Sequence, residues 1–326
     1  MAASRFSGQS KAILLAFIPI GIILVTLPLV GLEGYRLRLF SLVFMWVALS
    51  SCWNMMSGYT GYIDFGPVAY FGVGSYCTAI LMIREGLPFI LSVFLAGWIC
   101  AGLSLVIGLP TLRLQGAYFA IATFAAAEGI KQVILEWDRA AGFEFFGGAH
   151  GLTLPAAPPE SFFYYMMLFF MGLTVGLAAV LEKSKFGYGL RAIREAEQAA
   201  ELSGVPTLGL KVRAYVLSSS LIGCIGGVEA YWLTYIIPDD AFNVMRTIQM
   251  VIMTLLGGMG TVLGPVIGAS FLMLISEYLG AKFVYDYLIL VGLVIIIVIL
   301  LLPRGIMGTL RRNKGRNRHR SESASP

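Results

Sequence analysis

Residues 88–109 read PFILSVFLAGWICAGLSLVIGL, a run of 22 residues without one charged side chain. A helix needs about 20 consecutive apolar residues to cross the hydrocarbon core of a bilayer, so this run predicts a transmembrane helix. The whole 326-residue chain has the same character: 58% of its residues are hydrophobic and 13% are charged, against about 25% charged in an ordinary soluble domain. This composition excludes a soluble enzyme, a disulfide-stapled secreted module and a disordered regulator.

Apolar runs of similar length recur along the chain and predict further spans. The ten runs are 12–30, 38–56, 62–83, 88–109, 116–134, 161–181, 212–235, 244–257, 260–279 and 285–302. Some are short or broken, so we expect eight to ten transmembrane helices. The alternation of a membrane β-barrel is absent, and open sheet edges cannot face lipid, so the predicted fold is an all-α polytopic membrane protein. The first run is longer than the core of a signal peptide, and we interpret it as a retained helix.

The distribution of Lys and Arg predicts which side of the membrane each loop faces. With ten spans, one side receives 16 basic residues and the other side receives six. The richer side holds the N-terminal segment 1–11, the loop at 182–211 and the tail at 304–326. Cytoplasmic loops carry the excess of basic residues, so we predict that these three segments are cytoplasmic. The membrane domain is then 12–303, and the basic tail is predicted to be disordered.

The loop at 182–211 contains a predicted helix. Residues 190–202 read LRAIREAEQAAEL, which is rich in the strong helix formers Ala, Glu, Arg and Leu. Gly204 and Pro206 follow, and both residue types commonly end a helix. The pattern alone fits an ordinary solvated linker helix as well as a docking surface, so it leaves both interpretations open.

Part of this loop carries a family motif. QAAELSG at 198–204 resembles the coupling loop of ABC importer permeases, whose pattern is Glu-Ala-Ala, three residues and Gly. The two alanines, the spacing and the glycine are kept, whereas Gln198 replaces the leading Glu. The wider sequence SKFGYGLRAIREAEQAAE at 184–201 resembles the M-type membrane subunit of branched-chain amino-acid importers. Further phrases in family order are SGYTG at 57–61, LPTLRLQG at 109–116, LGGMG at 256–260 and PRG at 303–305.

The resemblance, which covers residues 35–308, implies a permease subunit of an ATP-driven importer. Such an importer moves branched-chain or related amino acids that an external binding protein delivers. The implied partners are a second homologous permease subunit in a heterodimer, two cytoplasmic ATPase subunits, the binding protein and the lipid of a bacterial inner membrane. The chain itself would be no enzyme and would hold no cofactor, because ATP and Mg²⁺ belong to the ATPase subunits. Urea or short amides stay open as substrates, and a secondary amino-acid transporter is the more distant alternative.

The resemblance also implies a set of residues for ATPase coupling. In such importers the coupling helix sits in a groove of the ATPase. Small residues permit close approach of two helices, and charged residues around a contact set its register more than its strength. The candidate coupling residues are Arg191, Arg194, Glu195, Glu197, Ala199, Ala200, Glu201 and Gly204.

Charged groups inside the predicted spans suggest a substrate pathway. A charge at the centre of a membrane helix costs about 2.5–3.5 kcal/mol on insertion scales and marks function by default. Asp64 follows a glycine-rich break and either lines the pathway or caps the third span. Glu229 is left equally open between pathway and structure. Glu128 and Lys131 are expected to neutralise each other at i, i+3, and Glu277 is expected to reach the interface.

Two glycine phrases hint at an internal repeat, because a GxxG pattern precedes Gly-Pro-Val in each. A repeat would place the substrate site between its two halves, whereas tight helix packing explains both phrases almost as well. The pathway candidates from these phrases and from the charged groups are Gly58, Gly61, Asp64, Gly66, Glu229, Gly257, Gly258 and Gly260.

The sequence carries no signal for catalysis or metal binding. The phosphate-binding pattern G-x-x-x-x-G-K-[ST] is absent, and neither His150 nor His319 has metal-ligating neighbours. The four Cys residues lie in apolar runs without a CxxC pair, so we predict no disulfide, metal or redox site. On so apolar a chain, we interpret the basic tail as an orientation signal and predict no nucleic-acid partner.

Overall fold

The computed structural model describes residues 21, 23–30, 34–140, 151–283, 287–301 and 305–308. This part of the chain is almost entirely helical, so the all-α prediction is confirmed. Its two short strands are β1 Leu152–Thr153 and β2 Tyr235–Ile236. Its helices, after a 3₁₀ turn at Leu27–Val30, are α1 Tyr35–Trp53 with a π-helical turn Asn54–Gly58, α2 Pro67–Ile83, α3 Phe89–Thr111, α4 Ala117–Ala140, α5 Glu160–Lys183, α6 Lys185–Leu202, α7 Thr207–Leu233, α8 Pro238–Ala241, α9 Val244–Gly257, α10 Leu263–Lys282 and α11 Tyr287–Leu301.

Six helices of the described residues are long and apolar enough to cross a membrane, namely α1 with its π-helical turn, α3, α4, α5, α7 and α10. Three shorter helices, α2, α9 and α11, match further predicted runs and have 17, 14 and 15 residues. Most of the run predicted at 12–30 lies outside the described residues. The chain is therefore a multi-pass helical membrane protein, and its total of eight to ten crossings stays a prediction.

The core of the bundle forms where α2 and α3 pack against α7. Glycines set the distance between these helices, because a Cβ on Gly74 of α2 would lie 2.1 Å from the carbonyl oxygen of Gly223 in α7. Across the same interface the Ser75 hydroxyl donates to the Gly226 carbonyl at 2.9 Å. Lipid competes for apolar surface, so membrane helices gain stability mainly from such close van der Waals contact between small residues.

α1 is the most enclosed span, with 83% of its most apolar stretch buried. It packs against α5, α7, α9 and α10. Ser218 of α7 donates to the Cys52 carbonyl at 2.7 Å, and Thr254 of α9 donates to the Ser50 carbonyl at 3.2 Å. These bonds join the central helix to its neighbours on two sides. α1 can therefore transmit a displacement at one end to several helices.

The helix ends lie on two sides of the bundle. α6 runs along one side, where it contacts the end of α1 and the turn between α9 and α10, and we call this the α6 side. The opposite side carries the β1–β2 pairing, in which Leu152 lies opposite Ile236. Lys131 of α4 forms an ion pair with Asp239 of α8 on this side, with Nζ and Oδ1 2.8 Å apart. Lys131 therefore pairs with Asp239, and the expected neutralisation between Glu128 and Lys131 is wrong.

The start of the C-terminal tail packs on the α6 side. Residues 305–308 are helical, and a Cβ on Gly305 would lie 2.6 Å from the Cα of Gly258. The two glycines lack side chains and so allow this close contact. The prediction of a disordered tail at 304–326 is therefore wrong for residues 305–308. Residues 309–326 lie outside the described residues, as does the predicted N-terminal segment 1–11.

The close packing of α2 on α7 predicts that a methyl group added at this interface lowers stability, whereas a methyl group added at an open position on α3 does not. Gly74→Ala should lower the free energy of unfolding by about 1–3 kcal/mol, because overpacking forces the helices apart. Gly102→Ala on α3 is the matched control, since nothing lies within 4 Å of a Cβ there, and it should leave stability unchanged. Thermal unfolding in detergent measures both variants. Equal midpoints for the two variants would contradict the packing model.

Candidate functional site

α6 and the helix ends that it contacts form the candidate site. α6 begins at Lys185, five residues earlier than predicted, because the Ser184 hydroxyl accepts a hydrogen bond from the Gly187 N–H and caps the helix. A Cβ on Gly187 would lie 1.8 Å from the Leu181 carbonyl oxygen, so a glycine permits the tight turn from α5. Extended backbone at Ala196 (φ −162°, ψ 97°) interrupts the helix. The sequence did not predict this interruption.

The two glycine phrases meet beside α6. A Cβ on Gly58 would lie 3.0 Å from the Gly260 nitrogen, so the two turns are in direct contact. Asn54 bridges them, because its side-chain amide donates to the Thr261 carbonyl at 2.9 Å and its Oδ1 accepts from the Gly260 N–H at 2.8 Å. Arg194 of α6 donates to the Gly58 carbonyl at 2.8 Å. We call these five residues the glycine joint.

Arg194 occupies the glycine joint for a reason common to helix C-termini. Gly58 ends α1, and the last carbonyls of a helix have no partner within it and carry negative partial charge. A guanidinium at this place donates a hydrogen bond and opposes that charge. A Cβ on Gly260 would lie 2.2 Å from a guanidinium nitrogen of Arg194, and Gly260 has a φ of +79°. Glycine is therefore required at 260 both for space and for backbone conformation.

Glu197 and Lys211 form the second contact between α6 and the membrane helices. The Lys211 ammonium lies 2.6 Å from the Glu197 carboxylate and donates to the Leu112 carbonyl, at the end of α3, at 2.8 Å. The Tyr62 hydroxyl donates to the same carboxylate, and the Tyr62 ring lies 4.6 Å from the ammonium. We call these four residues the anchor cluster.

Four of the eight predicted coupling residues face the bundle or the preceding turn. Arg194 and Glu197 belong to the glycine joint and the anchor cluster. Ala200 is buried, and Arg191 donates to the carbonyls of Glu182 and Gly187. Glu197 therefore lies inside the chain, although the sequence analysis placed it at the rim of a docking surface.

The other four predicted coupling residues face away from the bundle. Glu195, Ala199, Glu201 and Gly204 are all exposed. Beside them Leu202 is 91% exposed, a large apolar side chain that the sequence analysis did not select. Small residues, charges and one apolar side chain, exposed along the second half of α6 and the turn that follows it, are the ingredients of a helix-in-groove contact. The structure thus separates an outer face of α6 from an inner face.

Segment 61–66, between α1 and α2, breaks the helix within the bundle. Side chains replace the missing helical hydrogen bonds. The Asp64 N–H donates to the Ser57 hydroxyl at 3.2 Å, and the Phe65 N–H donates to the Thr123 hydroxyl at 3.1 Å. The Trp53 indole donates to the Asp64 carbonyl at 2.9 Å. Non-helical backbone at membrane depth is tolerated only where protein or water supplies such partners.

Asp64 closes the turn that leads into α2. Its carboxylate accepts a hydrogen bond from the Gly66 N–H at 2.8 Å, and the residue is buried. Gly66 precedes Pro67, which begins α2 and has no N–H to satisfy. This hydrogen bond serves the turn before α2 and supports a structural role for Asp64, while a role in the pathway stays a prediction.

Glu229 has a cationic partner on the opposite side of the bundle. Arg246 of α9 contacts the two Glu229 carboxylate oxygens at 2.8 and 2.9 Å and lies 4.6 Å from the Phe71 ring centre. Both contacts come from one guanidinium nitrogen, and charge-assisted hydrogen bonds of this kind are stronger than neutral ones. Glu229 also lines a cavity of about 280 Å³ together with Arg38 and Trp232. Its charge therefore serves an internal contact between α7 and α9.

The pathway candidates do not gather into one site. A Cβ on Gly257 would lie 1.7 Å from the Gly264 carbonyl oxygen, so Gly257 is a close helix contact. Gly61 has a φ of +80° and a Cβ there would lie 3.1 Å from Arg194. Gly58, Gly61, Asp64, Gly66, Gly257, Gly258 and Gly260 lie on the α6 side. Glu229 lies on the other side.

Sequence reasoning missed four residues of these contacts, namely Asn54, Tyr62, Lys211 and Arg246. Asn54 had a detectable signal, because a lone amide in an apolar run must find a hydrogen-bond partner. Lys211 and Arg246 were counted only as loop charges, and their carboxylate partners lie 14 and 17 residues away in sequence. Among the described residues, no group of three or more His, Cys, Asp or Glu side chains is placed to hold a metal ion.

The anchor cluster predicts a strong thermodynamic coupling. Glu197→Gln leaves a buried ammonium without its counter-charge and should destabilise the chain by about 3–5 kcal/mol. The double variant Glu197→Gln/Lys211→Met should be less destabilised than the sum of the two single variants, because residues in one network are not additive. Exposed Glu195→Gln is the control and should change stability by less than about 0.5 kcal/mol. Additive single effects would argue against the cluster.

The hydrogen bond from the Gly66 N–H to Asp64 predicts that an oxygen acceptor at position 64 matters more for stability and transport than a negative charge there. Asp64→Asn keeps an oxygen acceptor for the Gly66 N–H and should retain stability and transport near the parent level. Asp64→Ala removes the acceptor and should cost about 0.5–2 kcal/mol of stability, as at other helix caps. Unfolding midpoints and uptake rates measure both effects. A large loss of uptake by a stable Asp64→Asn variant would support the pathway role instead.

Comparison with known proteins places the chain among membrane permeases. The high-affinity branched-chain amino acid transport system permease protein LivM of Escherichia coli is 25% identical over 297 residues, which cover 83% of this chain and 69% of that protein. LivM of Salmonella typhimurium is 24% identical over 297 residues, which likewise cover 83% of this chain and 69% of that protein. The probable branched-chain amino acid transport permease protein LivH of Methanocaldococcus jannaschii is 31% identical over 144 residues, which cover 42% of this chain and 45% of that protein.

No solved structure matches the chain. The family described as branched-chain amino acid transport system / permease component matches residues 35–300, which contain both the glycine joint and the anchor cluster. The chain therefore belongs to the family of branched-chain amino acid transport system permease components.

Proposed function

We propose that this chain is the membrane permease subunit of an ATP-driven importer for branched-chain or related amino acids. The observation that carries the proposal is the division of α6 into two faces. Its inner face is fixed to the membrane helices by Arg194 and Glu197. Its outer face presents Ala199, Leu202 and Gly204 to the surroundings. A secondary transporter has no ATPase to bind and no use for such a face.

The partners proposed with this function are a second homologous permease subunit, two ATPase subunits and an external binding protein. ATP and Mg²⁺ would be bound by the ATPase subunits, and this chain would catalyse no reaction. The α6 side and both termini would face the cytoplasm of a bacterial cell across its inner membrane. The excess of basic residues on this side supports that orientation. The relatives' names favour amino acids, and urea or short amides remain the second candidate substrates.

The inner contacts suggest how ATPase movement would reach the membrane helices. A push on α6 passes through Arg194 to the end of α1 and, through Gly260, to the turn before α10. It passes through Glu197 and Lys211 to α7 and to the end of α3. Both contacts are hydrogen-bonded charges with short separations, so they resist being pulled apart more than an apolar contact would. α6 would therefore move together with the helix ends on its side.

The outer face of α6 predicts a steric test of docking. Ala199→Trp should abolish ATP-driven leucine uptake in proteoliposomes that hold the complete assembly, because a bulky ring blocks close approach. Ala199→Ser is the matched control and should transport like the parent. Ala199 is exposed in this chain, so neither variant should alter its unfolding midpoint.

The same assay tests the proposed function with labelled leucine and labelled urea. ATP-dependent uptake of leucine by the parent supports an amino-acid importer, and uptake of urea alone supports the second candidate. Unchanged leucine uptake by Ala199→Trp would reject docking through this face. Uptake that runs on an ion gradient without ATP would reject the importer class.

A further inference from the structure

α4 is the least enclosed of the long helices. Only 17% of its most apolar stretch is buried in this chain, against 39% for α3 and 83% for α1. Large side chains along its exposed face include Tyr118, Ile121 and Val133. In the membrane this face must contact lipid, another subunit or water.

The exposed faces of α3 and α4 differ in chemistry. The exposed side chains of α3 are apolar through the span and include Phe94, Trp98 and Val106. This is the composition of a lipid-facing surface. On α4 the apolar side chains are interrupted by Glu128 and the exposed Gln132, one helical turn apart on the same face. The exposed faces of the two helices therefore meet different surroundings.

Glu128 does not form an ion pair with Lys131, the partner that the sequence suggested. Lys131 forms its ion pair with Asp239, with Nζ and Oδ1 2.8 Å apart. The Gln132 side-chain amide donates a hydrogen bond to the Glu128 carboxylate at 3.1 Å. Among the described residues, this amide is the hydrogen-bond partner of that carboxylate. An amide on the same helix supplies one hydrogen bond but no positive charge. The carboxylate is therefore not neutralised by a cation in the described part of this chain.

The depth of Glu128 excludes lipid as its neighbour. The apolar span on α4 runs from Ala117 to Trp137, so position 128 lies next to its centre. A charge there is costly in hydrocarbon, and such groups almost always face a bundle interior or a water-filled cavity. The small residues Ala125 and Gly129 flank Glu128. Ala125 is exposed, and nothing lies within 4 Å of a Cβ on Gly129. The surface beside Glu128 is thus both polar and open.

We propose that the α4 face at Ala125, Glu128 and Gln132 lines a water-filled substrate route, and that Glu128 attracts the ammonium group of a zwitterionic amino acid. The proposal rests on the proposed importer function and deepens it. The facing wall is the second permease subunit, which must leave an aqueous gap at this depth. A carboxylate attracts an ammonium group by charge as well as by hydrogen bonds, whereas neutral urea offers it hydrogen bonds alone, so Glu128 favours amino acids as the substrate class.

Cysteine accessibility tests whether water reaches this face in the complete assembly. In a chain whose four native cysteines are replaced, Gln132→Cys should react with a charged, water-soluble thiol reagent, because a thiol reacts as its thiolate. Val106→Cys on α3 is the matched control, at a position that is 71% exposed in this chain, and it should stay unlabelled. Excess leucine should slow the labelling of Gln132→Cys. Equal labelling of the two positions, or no labelling at position 132, would overturn the route.

Uptake kinetics test the role of the charge. Glu128→Gln should raise the KM for leucine roughly 10- to 100-fold, the range expected for losing a hydrogen bond to a charged group, with a smaller effect on kcat. Glu128→Asp should recover much of the parent value. An unchanged KM would reject the ammonium contact. Because the parent must transport leucine before either variant is compared, failure of the importer function is distinguished from failure of this inference.

Discussion

Every backbone polar group of a chain in lipid needs a partner, and here that requirement is hardest to meet where α1 ends and α2 begins. Segment 61–66 is not helical, and the side chains of Ser57, Asp64 and Thr123 accept hydrogen bonds from its N–H groups. The acceptors come from α1, from the segment itself and from α4, and Thr247 of α9 accepts from the next helix. Four elements are thereby fixed at one point. The rest of the α6 side is arranged around this break.

The break also explains why α6 is bound so firmly. Helices that end inside a membrane protein leave carbonyl oxygens with negative partial charge. Arg194 donates to the carbonyl of Gly58 at the end of α1, and Lys211 donates to that of Leu112 at the end of α3. Each cation satisfies an acceptor that lipid could not satisfy. The contacts that complete the helix ends are thus the same contacts that join α6 to the bundle.

Periodicity and composition predicted the helices well, because a membrane span is defined by its own length and apolarity. The bounds of α9 were predicted correctly, and α3 was predicted within two residues at each end. The candidate site was predicted only in part. Glycines at 58 and 260 were predicted either to line a pathway or to permit tight packing, and they permit close contact with each other and with Arg194, a partner that the sequence did not reveal. Glu197 was assigned to a surface because helical periodicity cannot reveal the interruption at Ala196 or a partner on another helix.

The intramembrane carboxylates differ in what they require from the rest of the assembly. Asp64 accepts from the Gly66 N–H, Glu229 pairs with Arg246, and Glu277 accepts from the Tyr35 hydroxyl at 2.5 Å. The contacts of Glu229 and Glu277 join different helices of this chain, and Glu229 has a cationic partner there. Glu128 accepts only from its own helix among the described residues, so folding of this chain leaves its charge to be balanced from outside. A carboxylate without a cationic partner after folding can attract the ammonium group of a substrate. A carboxylate that is already paired with an arginine would first have to break that ion pair.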